Sequence, residues 1–186
     1  MQPLSIGRMI LSKLSLTFLQ STGWYKVDME RAEKLDWGRG AGCNFLNSEC
    51  ISTNFSEFCE NQGQNMCSKD RMSKSRCFST GFSDSCKLNL PLSNYSCSDR
   101  NNFNNTAPKE NQSNSARCFD TSFLGSNSSA CYERKCTLEN EIIIVYDGSE
   151  YKCSYERQSI YLGQLIIFFP FFDEICEKSH CKNNCN

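Results

Sequence analysis

The chain has 186 residues, enough for one core of ordinary size or a small core with a satellite module. Fourteen cysteines stand beside only 39% hydrophobic residues and a mean hydropathy of -0.53, so the apolar core is thin and disulfides are its natural supplement. Twenty basic residues balance 21 acidic ones for a net charge of -1 with no dense run of either sign, which excludes the electrostatic footprint of a nucleic-acid binder.

In chain order, the opening MQPLSIGRMILSKLSLTFLQ has a basic residue near its front, but Lys13 and three serines interrupt its apolar content and argue against a signal peptide. Ile10, Leu11, Leu14 and Phe18 fall at helical spacing and predict one amphipathic helix with a buried face, ended by Gly23 at a C-terminal cap. The next stretch, GWYKVDMERAEKLDWGRGAGC, sets Trp24, Tyr25 and Trp37 and four glycines among alternating charges and reads as a packed crossing. Cys43 and Cys50 close it. Cys59, Cys67, Cys77, Cys86 and Cys97 then recur eight to eleven residues apart among Ser, Asn, Lys and Gly, which predicts a stapled, loop-rich region. Residues 98–117 are mostly Asn, Ser and charge, lack cysteine, and predict a mobile surface loop.

Order is expected to return after Cys118. Glu141 to Tyr146 is β-branched and aromatic, Asp147-Gly148 is a turn, and Glu150 to Tyr155 alternates, which spells a β-hairpin. Ser159 to Leu162 and Leu165 to Phe169, joined at Gly163, predict a further strand pair ended by Pro170. The run LIIFFPFF is far shorter than the roughly 20 residues of a membrane helix, so no membrane span is expected. The last segment, EICEKSHCKNNCN, reads as the start of another cysteine module. The fold class these signals predict is α+β and disulfide-rich: one N-terminal amphipathic helix, a loop-rich cysteine-stapled region, and a small antiparallel sheet.

Asn54, Asn94, Asn104, Asn111 and Asn127 each stand two residues before Ser or Thr with no intervening Pro, the acceptor pattern for N-glycosylation. Together with the cysteine load they point to the secretory route and an extracellular or cell-surface home. All fourteen cysteines are disulfide candidates: those named above with Cys118, Cys131, Cys136, Cys153, Cys176, Cys181 and Cys185. Their connectivity does not follow from sequence. No CxxC pair occurs, and Cys176, His180, Cys181 and Cys185 favour a disulfide knot over zinc, because adjacent His180 and Cys181 cannot easily chelate one ion together. His180 is the sole histidine and no GxSxG precedes a serine, so no catalytic triad is assembled. Asp28, Glu30 and Glu33, beside Arg31 and Lys34, read as a solvated ion-paired face. From its residues alone the chain is a scaffold without an active site.

A resemblance adds to this reading. LSKLSLTFLQST followed by GWYKVDMERAEKLDWGRGAGCNFL closely resembles the segment of leishmanolysin-type metallopeptidases that follows their catalytic centre. CSKDRMSKSRC, FSDSCKLNLPLSNYSC, SARCF, ACYERKC and DEICEKSHCKNNCN resemble, in order, that family's C-terminal cysteine framework. The resemblance implies a metzincin parent in which an HExxHxxGxxH helix, or a version with the third His displaced, binds zinc and activates water to cleave protein or peptide substrates. No such helix is present, so the chain as it stands is expected to bind no cofactor and to carry no catalytic residue. Met1 is the candidate for the family's Met-turn, with a plain translation start as the alternative. Phe169 stands where the family commonly has a Cys, which puts one family disulfide in doubt. The implied layout is 1–22 as the end of the catalytic domain, 23–169 as a disulfide-rich C-terminal domain, and 170–186 as the start of a growth-factor-like module. The alternative is a secreted, non-catalytic cysteine-rich binding or adhesion module.

Overall fold

The computed structural model describes residues 10–33, 37–38, 41–50, 55, 57–101, 107–139 and 141–176. Ser12 starts the first helix, α1 (Lys13–Ser21), where its side-chain oxygen accepts the Ser15 amide at 3.2 Å. Gly23 follows the helix with φ of 73°, the left-handed cap position expected of it. The predicted apolar face is present but uncovered: Leu14 is 77% and Phe18 68% exposed, and Ile10 and Leu11 precede the helix. The side that packs is Leu16, two residues and about 200° further round the axis. Ser12 fixes that choice through a bridge to Glu33, whose amide donates to the Leu11 carbonyl at 2.8 Å.

A short 3-10 turn (Met29–Arg31) and α2 (Cys43–Asn47) lead into a knot of aromatic rings. Trp37 meets Phe45 and Phe58 edge-on at 6.4 and 5.9 Å, and Phe45 stacks on Phe58 at 5.9 Å. Gly38 has φ of 67°, and a Cβ there would stand 2.6 Å from the Phe45 ring.

The region expected to be loop-rich builds a sheet instead. β1 (Asn65–Cys67), β2 (Ser73–Phe78) and β3 (Leu88–Ser96) pair antiparallel in that order. Pro91 is tolerated because β3 is an edge strand, and the register slips between Ser73 and Ser75 opposite it. A larger six-stranded antiparallel sheet follows. Its elements are β4 (Ala116–Phe123), β5 (Ser126–Cys136), β6 (Ile142–Tyr146), β7 (Ser149–Cys153), β8 (Ser159–Leu162) and β9 (Leu165–Phe168), in the order β7-β6-β5-β4-β9-β8. Asp147 and Gly148, at φ of 50° and 78°, make the predicted tight hairpin turn. One face of this sheet sets Phe119, Tyr132, Ile144, Leu165 and Ile167 into the main core with Phe169 and with Phe172 and Ile175 of α3 (Phe172–Ile175). The opposite face carries Cys118 and Cys131 toward the small sheet. The fold is α+β and disulfide-rich, as expected.

Residues 107–113, part of the segment expected to be a mobile loop, are pinned. Glu110 is 9% exposed, and its carboxylate accepts the Lys74 ammonium at 2.6 Å, the Ala107 amide at 2.7 Å and the Cys131 amide at 3.3 Å. The Asn111 amide donates to the Cys131 carbonyl, and the Tyr132 hydroxyl to the Pro108 carbonyl.

Candidate functional site

Between the two sheets lies a cleft of about 910 Å³, within the size range of ligand sites. Its floor is an ion cluster assembled from three distant parts of the chain. Arg71, at φ of 57° in the turn between β1 and β2, donates Nη1 to Asp120 Oδ2 at 2.6 Å, and Nε and Nη2 to Glu174 Oε2 at 3.0 and 2.8 Å. The other Asp120 oxygen accepts the Cys67 amide at 2.9 Å, and the Cys118 amide donates to the Arg71 carbonyl at 2.8 Å. Burial acts to lower the guanidinium pKa, but the charges and hydrogen bonds of Asp120 and Glu174 overcome it and hold Arg71 above its ordinary value. The cluster joins the small sheet, the large sheet and α3 at one point. At the mouth, Phe168 and Phe171 are each 39% exposed, and the Arg157 guanidinium lies over the Phe171 ring at 5.2 Å. The cleft offers aromatic faces at its rim and charged and amide groups on its walls, which is chemistry for recognition.

Disulfides brace these walls. Cys67–Cys118 and Cys97–Cys131 cross between the sheets, Cys50–Cys86 and Cys59–Cys77 close the small-sheet side, and Cys136–Cys176 ties β5 to the end of α3. Their Cα atoms are 5.3 to 5.9 Å apart, the separation an unforced bridge needs. Cys43, exposed on α2, and Cys153, buried in the main core, are unbridged. Burial holds the Cys153 thiol above its ordinary pKa, and Sγ donates to the Tyr155 carbonyl at 3.0 Å, so it rests as an inert protonated thiol. Phe169 fills core volume in the same cluster, at the position where the family resemblance implies a cysteine.

Of the other sequence candidates, Asn94, Asn111 and Asn127 are all exposed, on β3, on the pinned 107–113 segment and on β5. Met1, Asn54, Asn104, Cys181 and Cys185 lie outside the described residues. Cys176 is committed to its bridge with Cys136, so it offers no thiolate to a zinc knuckle. Trp24 and Tyr25 are 85% and 56% exposed, whereas Trp37 is spent on the aromatic knot. Sequence reasoning did not find Arg71, Asp120 and Glu174, because partners 49 and 103 residues apart leave no local pattern.

Comparison with known proteins gives this architecture its lineage. The leishmanolysin family model matches residues 1–85. A ciliated left-right organizer metallopeptidase of Danio rerio is 29% identical over 153 residues, covering 76% of this chain and 24% of that protein. Residues 1–85 of the chain are thus similar to the leishmanolysin family. Leishmanolysin of Leishmania chagasi is 37% identical over 71 residues, 36% of this chain and 12% of that one. A leishmanolysin-like peptidase of Caenorhabditis elegans is 46% identical over 41 residues, 22% of this chain and 6% of that one. The chain spans about a quarter or less of the length of the curated relatives it matches. Zinc is the general cofactor of the family. Among the described residues no three His, Cys, Asp or Glu side chains gather as a ligand set, ten thiols are bridged and Cys153 is buried, so these residues do not fit the ion. No helix among the described residues is long and apolar enough to cross a membrane.

Proposed function

We propose that this chain is the C-terminal part of a leishmanolysin-like zinc metalloendopeptidase, whose intact form hydrolyses protein or peptide substrates at or outside the cell surface, and that alone it is a non-catalytic scaffold. The observation that carries the reading is the uncovered apolar face of Leu14, Phe18, Trp24 and Tyr25, which lies wholly within the residues matched by the family model. A face of that composition is normally covered by another part of a folded protein. In the intact parent it packs against the catalytic domain, with residues 1–22 completing that domain and 23–169 bracing it through disulfides. Residues 170–186 open a further cysteine module, and Met1 stands at the Met-turn. Five formed bridges and the exposed sequons support an oxidising, glycosylating route for the chain.

The test is proteolysis. The purified chain, free of other proteases, is expected to leave casein and gelatin intact; chelator-sensitive hydrolysis would overturn the non-catalytic reading. A second reading, a stand-alone adhesion module, is favoured by the self-contained core and its disulfides. Mass analysis under reducing and non-reducing conditions separates the two, since the module requires one homogeneous oxidised species.

A further inference from the structure

The Asn127 side chain is exposed and lines the cleft. Register explains why it points there. Asn127 pairs with Ser122 on β4, and Ser122 pairs with Ile166 on β9; one step along, Ser129, Asp120 and Phe168 form the next row on the same face. Asn127 therefore stands two strands from β9, roughly 9 to 10 Å across the sheet, on the side that carries Phe168 and the Asp120 carboxylate.

Asn127-Ser128-Ser129 is an acceptor sequon. A glycan attached to the Asn127 amide nitrogen would leave along this face, between the small sheet and the Phe168 and Phe171 rings. Sugar rings stack their C–H faces on aromatic rings and give hydroxyl and acetamido groups to carboxylates. Phe168 and Phe171 present such surfaces, and Asp120 and Glu174 keep 34% and 25% of their side chains exposed beyond their bonds to Arg71.

We propose that the cleft holds the inner sugars of an N-linked glycan on Asn127, packed against Phe168 and Phe171. The occupant is a covalent part of this molecule, and the inference rests on the secretory route given under the proposed function. It distinguishes Asn127 from Asn94, whose side chain is exposed on the edge strand β3 and does not line this cleft.

The experiment uses the full chain secreted from eukaryotic cells. Glycopeptide mass spectrometry follows release at each site during digestion of the native protein with peptide-N-glycosidase. Release at Asn127 is expected about tenfold slower than at Asn94, which corresponds to about 1.4 kcal/mol of packing. Phe168→Ser, and independently Phe171→Ser, should bring the Asn127 rate up to the Asn94 rate without changing the latter. Should both variants fail to fold, Arg157→Ala offers a milder probe, since it removes only the cation over Phe171. Sugar at Asn94 or Asn111 with Asn127 bare, or equal release at Asn127 and Asn94, would overturn the inference and leave the secretory route standing. Secreted protein without sugar at any sequon would overturn the inference; a chain that stays in the cytosol with reduced thiols would sink the route itself.

Discussion

Tyr132 shows how one residue couples the main core to the segment above it. Its ring is fully buried between Phe119 and Tyr146, while its hydroxyl reaches out to the Pro108 carbonyl at 3.1 Å. Burial, then the charges of Glu110 and Tyr146, push its pKa well above the ordinary phenol value. A phenol that keeps its proton more firmly in the folded state contributes stability that is complete below the unfolded pKa of about 10 and is lost as pH rises toward the folded value. Lys74 slopes the other way. Burial lowers its pKa against the pull of Glu110, so it relieves a penalty as pH rises toward about 10.4, the unfolded lysine value. Comparing wild type with Tyr132→Phe cancels the lysine contribution, which both proteins share. Tyr132→Phe should cost about 1 kcal/mol at neutral pH through the lost hydrogen bond. Above pH 10 it should lose less stability than wild type. Denaturant midpoints at the two pH values check this, and parallel losses would refute the buried-phenol argument.

At the scale of elements, the Glu110 carboxylate is the buried anchor of the 107–113 segment. Glu110→Ala removes the acceptor of the Ala107 and Cys131 amides and takes the 2.6 Å carboxylate partner away from the buried Lys74 ammonium. Breaking a buried pair in this way costs roughly 3–5 kcal/mol. The Asn111 and Ser113 amides, bonded to the Cys131 and Cys97 carbonyls, should lose at least about tenfold in hydrogen-exchange protection while the β4–β5 ladder keeps its own. Uniform loss across β4 and β5 would mean that the segment is not a separate unit. The Glu110 anchor also marks where sequence stops being informative. Asp147-Gly148, Gly163 and Gly23 are read correctly because turn and cap chemistry is local, and Ile142–Tyr146 because its composition is that of a strand. β2, β3 and much of β4 and β5 are rich in Ser, Asn, Arg and Cys, so their propensity is weak; cross-strand pairing and inter-sheet bridges hold them instead. Residues 107–113 look solvated because Glu110 reads as a surface charge until Lys74, 36 residues away, arrives beside it. The cleft is illegible for the same reason: Arg71, Asp120 and Glu174 meet only after both sheets and α3 have formed.

The whole molecule divides into a body that satisfies itself and an N-terminal face that does not. Crossed disulfides, the Arg71 cluster and the Glu110 anchor lock the two sheets together, and the main core buries Phe119, Tyr132, Ile144 and Ile167 to 0% exposure. α1 and the stretch after it leave Leu14, Phe18 and Trp24 at 68–85% exposure. Each such side chain, fully covered, contributes roughly 1.5–3 kcal/mol, so the face has several kcal/mol to gain from any apolar surface that meets it. In the isolated chain the available surface is the same face on a second copy. The purified, oxidised chain should therefore associate reversibly with rising concentration in sedimentation experiments and bind an apolar dye. Leu14→Ser combined with Phe18→Ser should abolish both behaviours. Because these side chains make no part of the main core, the double variant should keep its disulfides and its thermal unfolding midpoint. A wild-type chain that stays monomeric and binds no dye would show that this face is covered from within the same chain, and the reading of α1 as a surface that docks the rest of a parent enzyme would fall with it.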